Sequence, residues 1–108
     1  MKEKTEFSKP VITEKAKEFI EAHNIPLDSF LKCITVMITS QKNITHANID
    51  LFEFYDEGKC EIQKSISIEV CIDGLTTDEK VEIMFKLNKL LHIAFPDLPS
   101  HFIYRCSA

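Results

Sequence analysis

Two glycines, Gly58 and Gly74, are all that this 108-residue chain contains, and it has no tryptophan. Phosphate-cradling loops of the GxGxxG or GxxxxGKS kind need more glycine, so the commonest nucleotide-binding architectures are excluded by count. Apolar runs are short. No stretch approaches the ~18 consecutive apolar residues of a membrane span, and Met1–Glu6 carries acids with no apolar run behind it, which does not read as a secretory signal. The four cysteines, Cys33, Cys60, Cys71 and Cys106, form no CxxC pair. In a secreted chain they would admit three disulfide connectivities. Without a signal, the expectation is a cytoplasmic protein with four reduced thiols acting as small apolar side chains. A zinc site built from them would lack the local pairing that usually supplies half of its ligands. The sequence also has no HExxH and no nucleophile elbow, so neither metal nor cofactor is expected, and the chain does not read as an enzyme. The sequon Asn43-Ile44-Thr45 reads as a chance match in a cytoplasmic chain.

What is present suits one α+β domain with one core. An apolar share of 44% and a charged share of 28% are those of an ordinary globular protein, and a chain of this length can bury enough surface to fold without a staple. Residues 1–10 read as a flexible tail and 11–108 as the domain. Thr13 has the chemistry of a helix N-cap. Ile12, Ala16, Phe19, Ile20 and His23 follow at helical spacing, and Asn24 and Pro26 end that run. From Phe30 to Ser40 two patterns compete. Leu31, Ile34 and Ile38 fit a helix behind Asp28 or Ser29, whereas the β-branched run Ile34-Thr35-Val36 with Ile38-Thr39 favours a strand, which is the expectation adopted. A strand over Ile49–Tyr55 and a turn at Asp56-Glu57-Gly58-Lys59 lead into the strongest alternation in the chain. There Ile62, Lys64, Ile66, Ile68, Val70 and Ile72 alternate with Glu61, Gln63, Ser65, Ser67, Glu69 and Cys71. Thr76 and Glu79 have capping-box spacing ahead of a helix that runs to about Ala94 before Pro96. Its apolar positions exceed a single stripe, which leaves room for a homodimer through this long helix. His101–Cys106 completes the pattern as a short strand. The expected order is α-β-β-β-α-β, an antiparallel sheet of about four strands with two helices on one face.

The first five of these elements resemble, in topology alone, the order of double-stranded-RNA-binding domains. Those domains present basic groups at their second helix; here only Lys80, Lys86 and Lys89 are available and the central hairpin is acidic, so no nucleic-acid binding is implied.

Net charge is −4, unevenly spread. Between Asn48 and Glu79 nine carboxylates face two lysines, a balance of −7, and the rest of the chain sums to +3. The acids of the hairpin admit three readings. Asp50, Glu53, Asp56 and Glu57 lack calcium-loop spacing. They could form a solvated sheet edge that discourages aggregation, or a docking surface for a basic protein. Phe52, Phe54 and Tyr55 stand among them as candidate anchors. His101 with Asp97 could transfer protons beside a pocket, or could be an ordinary polar turn. In size, charge and lack of catalytic motifs the chain looks like bacterial toxin-neutralising immunity proteins and phage-encoded inhibitors, a likeness carried by no motif. The expectation is a small acidic protein-binding module using Asp50, Glu53, Phe54, Tyr55, Asp56, Glu57 and Glu61 against a basic partner such as a toxin or nuclease. No membrane or direct nucleic-acid partner is expected. The alternative is a homo-oligomeric small-molecule-binding protein or enzyme with a pocket between helix and sheet or between subunits.

Overall fold

Thr13 and Asn24 bound the first helix as their chemistry predicts. The Thr13 hydroxyl accepts the Ala16 amide at 3.3 Å at the start of α1 (Glu14–Ala22). At the other end Asn24 takes the left-handed conformation, with φ of 62°. Its amide reaches Glu21 O at 2.9 Å and the Ile25 amide reaches Ile20 O at 3.4 Å, the paired closure that satisfies last-turn carbonyls. The computed structural model describes residues 10–41 and 43–105. The tail expected at residues 1–10 therefore lies, apart from Pro10, outside the described residues, as does Cys106.

Residues 30–40 are not a strand. Residues 30–39 belong to α2 (Leu27–Thr39), which Ser40 caps, because Phe30, Ile34, Met37 and Ile38 fall on one helical face and are all buried. The gain from burying that face outweighs the weak intrinsic preference of β-branched residues for extended backbone. Ahead of α1, Val11 and Ile12 form a two-residue strand, β1, for which the sequence suggested no element. Then come β2 (Ile44–Asp56), β3 (Glu61–Ile72), α3 (Thr77–Ala94) and β4 (Ser100–Arg105). The order is β-α-α-β-β-α-β rather than α-β-β-β-α-β, with three helices, so the likeness to RNA-binding domains in element order does not hold.

The sheet is mixed, not antiparallel. Its strand order is β1-β2-β3-β4; β2 and β3 form an antiparallel hairpin, and each outer strand runs parallel to its neighbour. Ile44, Ala47 and Ile49 of β2, Ile66, Ile68, Val70 and Ile72 of β3 and Phe102 of β4 share one core with Ala16, Ile20, Phe30, Ile34, Met84, Leu87 and Leu91. All three helices thus cover one face. With both crossovers on that face and the outer strands on opposite edges, the β1–β2 and β3–β4 connections have opposite hands, so one runs against the usual right-handed preference. The capping box forms as its spacing predicts: Glu79 N donates to Thr76 Oγ1 at 3.2 Å and Thr76 N to Glu79 Oε1 at 2.9 Å.

The hairpin turn reaches one residue beyond the Asp56–Lys59 turn suggested by the sequence. The left-handed position is taken by Cys60, with φ of 55°, while Asp56 Oδ1 accepts the Gly58 amide at 3.0 Å. A side chain at such a φ costs about 1–2 kcal/mol, whereas glycine there loses part of that gain to the freedom of the unfolded chain. Cys60→Gly is expected to stabilise the protein by about 0.5–1 kcal/mol. A higher midpoint in urea denaturation would bear this out, and an unchanged or lower one would refute it.

Candidate functional site

β2 and β3 are much longer than their outer neighbours. β1 pairs only with Asn48 and Ile49, and β4 only with Ile66–Cys71. From about Phe52 to Ser65 the hairpin is therefore two strands wide and projects as an arm. An isolated two-stranded ribbon is marginal in water unless something packs on it, and this one exposes apolar groups on both sides. Phe52 and Phe54 are 51% and 46% exposed on one side, their rings 5.7 Å apart, and Tyr55 and Ile62 are 59% and 63% exposed on the other.

The expected site residues divide between these sides. Even positions of β2 and odd positions of β3 point away from the helices, which places Asp50, Phe54, Asp56 and Glu61 on the open face of the sheet. Glu53 and Tyr55 lie on the helix side, and Glu57 is at the tip. Several also have local structural roles. Asp50 Oδ1 accepts from Thr13 Oγ1 at 2.9 Å and from Leu51 N at 2.7 Å, tying the end of β1 to the edge of β2. Glu53 pairs with Lys64 at 3.8 Å, Asp56 holds the turn, and Glu61 accepts from Gln63 at 2.9 Å. The helix side of the arm opens onto a groove of about 360 Å³ lined by Phe19, Ala22 and Leu51, with Lys15, Glu18, Glu53 and Lys64 as charged lining.

The open face holds residues that the sequence did not single out. With Asp50, Phe52, Phe54 and His101, which it did, they fall in rows by register: His46, Cys71 and Arg105 at the base; then Val11, Asn48, Glu69 and Ile103; then Asp50, Ser67 and His101; then Phe52 and Ser65; then Phe54 and Gln63. Val11 and Ile103 are exposed, and a shallow depression of about 190 Å³ lies among Asn48, Asp50, Phe52, Ser67, Glu69 and Ile103. Only the parity of Phe52 and Phe54 was readable in advance, because which residues stand beside them depends on non-local pairing. No protein-family model, curated protein or solved structure matches the chain.

His101 is on this face and its Nδ1 lies 3.2 Å from Ser65 Oγ. Burial lowers its pKa from the ordinary value, favouring the neutral ring. Ser65, rather than Asp97, is therefore its hydrogen-bonding neighbour. Among the described residues no group of three or more His, Cys, Asp or Glu side chains is placed to hold a metal ion, and Cys33, Cys60 and Cys71 are free thiols. No described helix is long and apolar enough to cross a membrane. On α3, Phe85 and Ile93 are 74% and 70% exposed, which accounts for the surplus of apolar positions noted in the sequence.

Asn88 is a further residue that pattern reading passed over. It accepts the Phe102 amide at 2.7 Å and donates to the Phe102 carbonyl at 3.3 Å. The β3–β4 ladder, in which Ile66 N bonds Pro99 O, turns the backbone polar groups of Phe102 toward the outer edge of β4. One side-chain amide thus takes the place of a fifth strand at that position.

Proposed function

We propose that this chain is a small acidic protein-binding module that docks through its β2–β3 arm onto a basic protein and blocks it, as an inhibitor or immunity-type protein blocks a toxin or nuclease. The observation that carries this reading is the projecting arm, with aromatic side chains exposed amid carboxylates. An interface needs a desolvated anchor within a polar rim. Phe54 and Tyr55 supply anchors on opposite sides of the ribbon, and Glu53, Glu57 and Glu61 supply charge that steers a cationic partner and selects against an anionic one. The same charge disfavours direct contact with a phosphate backbone. If the partner is a nuclease, the carboxylates occupy the place of substrate phosphates.

The test is affinity capture from the native host at low and moderate salt, beside a variant carrying Glu53→Lys, Glu57→Lys and Glu61→Lys. Asp56 is left intact because it holds the turn. The expected result is a basic protein retained by the wild type, weakened by salt, and bound at least about tenfold less tightly by the variant. Retention that is indifferent to both the reversal and the salt would refute the reading.

A further inference from the structure

Along the arm, β2 is an open edge. Just past the end of β1, Thr13 N donates to Ile49 O at 3.1 Å. Thr13 O then accepts Lys17 N at 3.0 Å as α1 begins, and Leu51 N turns instead to Asp50 Oδ1. Backbone groups point to alternate sides along a strand, so the N–H and C=O of Glu53 and Tyr55 face, like Ile49 O, away from β3. Among the described residues no strand pairs with them. Such an edge is a template for an extended strand. The outer edge of β3 offers less, because Ile66 N already bonds Pro99 O and only Ile62 and Lys64 remain beyond it.

We propose that the chain forms a homodimer by antiparallel pairing of its β2 edges about a two-fold axis at Phe54. Charge selects that register. An axis at Glu53 would set Glu53 against itself, and one at Tyr55 would set Glu53 against Glu57; like charges directly opposite are unfavourable. An axis at Phe54 pairs Glu53 of each copy with Tyr55 of the other, and each such pair exchanges N–H···O bonds in both directions. The two Phe54 residues then form a non-hydrogen-bonded pair on the open face, with Cα atoms about 4.5 Å apart, where aromatic pairs are favourable. Phe52 stands opposite Asp56.

The helix side of the arm supplies a second match. Paired residues share a face, so Tyr55 of the second copy lies beside Glu53, at the mouth of the groove of about 360 Å³ lined by Phe19, Ala22 and Leu51. Glu57 of the second copy comes alongside Leu51, where Lys15 lines the same groove. Pairing also gives the ribbon the three or more strands that a stable sheet needs. The two-fold closes on two copies, whereas β2 of one chain on β3 of the next would propagate. The proposal stands on backbone groups and register, independently of the acidic-module reading. Phe54 and Tyr55 serve both contacts, so a second copy and a docked partner exclude each other.

Sedimentation of the full chain at several concentrations, with amide hydrogen exchange alongside, tests it. The expected result is a mass that doubles as concentration rises, with protection of the Glu53 and Tyr55 amides rising in step. Tyr55→Pro removes an outward N–H, a change that edge strands tolerate, and should weaken the dimer about tenfold or more. Tyr55→Lys, which faces Glu53 of the other copy with a cation, should dimerise more tightly than Tyr55→Glu. A monomer at every concentration would overturn the proposal, as would a dimer indifferent to Tyr55→Pro but lost in Ile62→Pro. Equal affinity of the lysine and glutamate variants would remove the register on which it depends. Protection of Glu53 and Tyr55 that ignores concentration and disappears on deleting residues 1–9 would also overturn it, since the edge would then be held within one chain.

Discussion

Truncating Phe30 to alanine is expected to lower stability by about 3–5 kcal/mol, a large part of the ~5–15 kcal/mol that a domain typically has. Phe30 is fully buried at the start of α2, its ring 5.1 Å from that of Phe95 just beyond α3. It therefore joins two helices as well as filling space, and the flanking elements can close only part of the void. The thermal midpoint should fall by more than about 10 °C. A companion substitution tests the helical assignment itself. Val36 is 64% exposed on the same helix. Alanine there should be neutral or stabilising by a few tenths of a kcal/mol, because valine is the poorer helix former. Were this segment a strand, the same change would remove a favourable residue and destabilise it. A small loss for Phe30→Ala, or a clear loss for Val36→Ala, would count against the arrangement described.

Asn88→Ala is expected to have the second-largest effect, and an unusual combination of consequences. Losing the two bonds to Phe102 should cost about 1–3 kcal/mol, since a partly buried amide and carbonyl are left without their partner. It should also uncover the outer edge of β4. An unpaired edge is a template for another chain, so the variant should associate with itself as concentration rises while the wild type under the same conditions does not gain association by that edge. Denaturant unfolding together with sedimentation at several concentrations separates the two effects. Asn88→Asp keeps the acceptor for Phe102 N and removes the donor, so its stability should fall between those of wild type and Asn88→Ala. A variant as stable as the wild type and unchanged in association would show that the amide does not guard the edge.

The parts of this fold that were legible in the sequence are those set by neighbours along the chain. Thr13, Asn24 and the Thr76–Glu79 pair act within a turn or two of their own positions, and the alternation along β3 states which of its faces meets the core, at Ile66–Ile72, without reference to any other strand. The parts that were not legible depend on distant segments. α2 carries a β-branched run whose helical form is stabilised only by what Phe30, Ile34 and Ile38 meet across the core. β1 is two residues long, too short to show any period, and exists because β2 is there to pair with. Parallel pairing of β4 with β3 follows from the α3 crossover, which no local pattern encodes. The candidate site divides in the same way. The arm's charge and aromatics were readable, while the rows that join Val11, Ser67, Glu69 and Ile103 to them come from register, and Asn88 looks like an unremarkable polar residue until β4 is in place.

The sheet register also decides where the chain can be handled. β1 begins in the row of Asn48 and β4 ends beside Cys71, so both run out at the base of the sheet, away from the turn at Glu57–Cys60. Val11 and Ile103 share a row and are three strand spacings apart, about 14 Å, whereas the tip is some 26 Å further along the strands. A fluorophore or an affinity handle attached where β1 begins or where β4 ends would thus sit at the base of the sheet, at the far end from the turn. A linker joining those two points, with the chain reopened at the turn, would cut the hairpin while leaving the base of the sheet continuous.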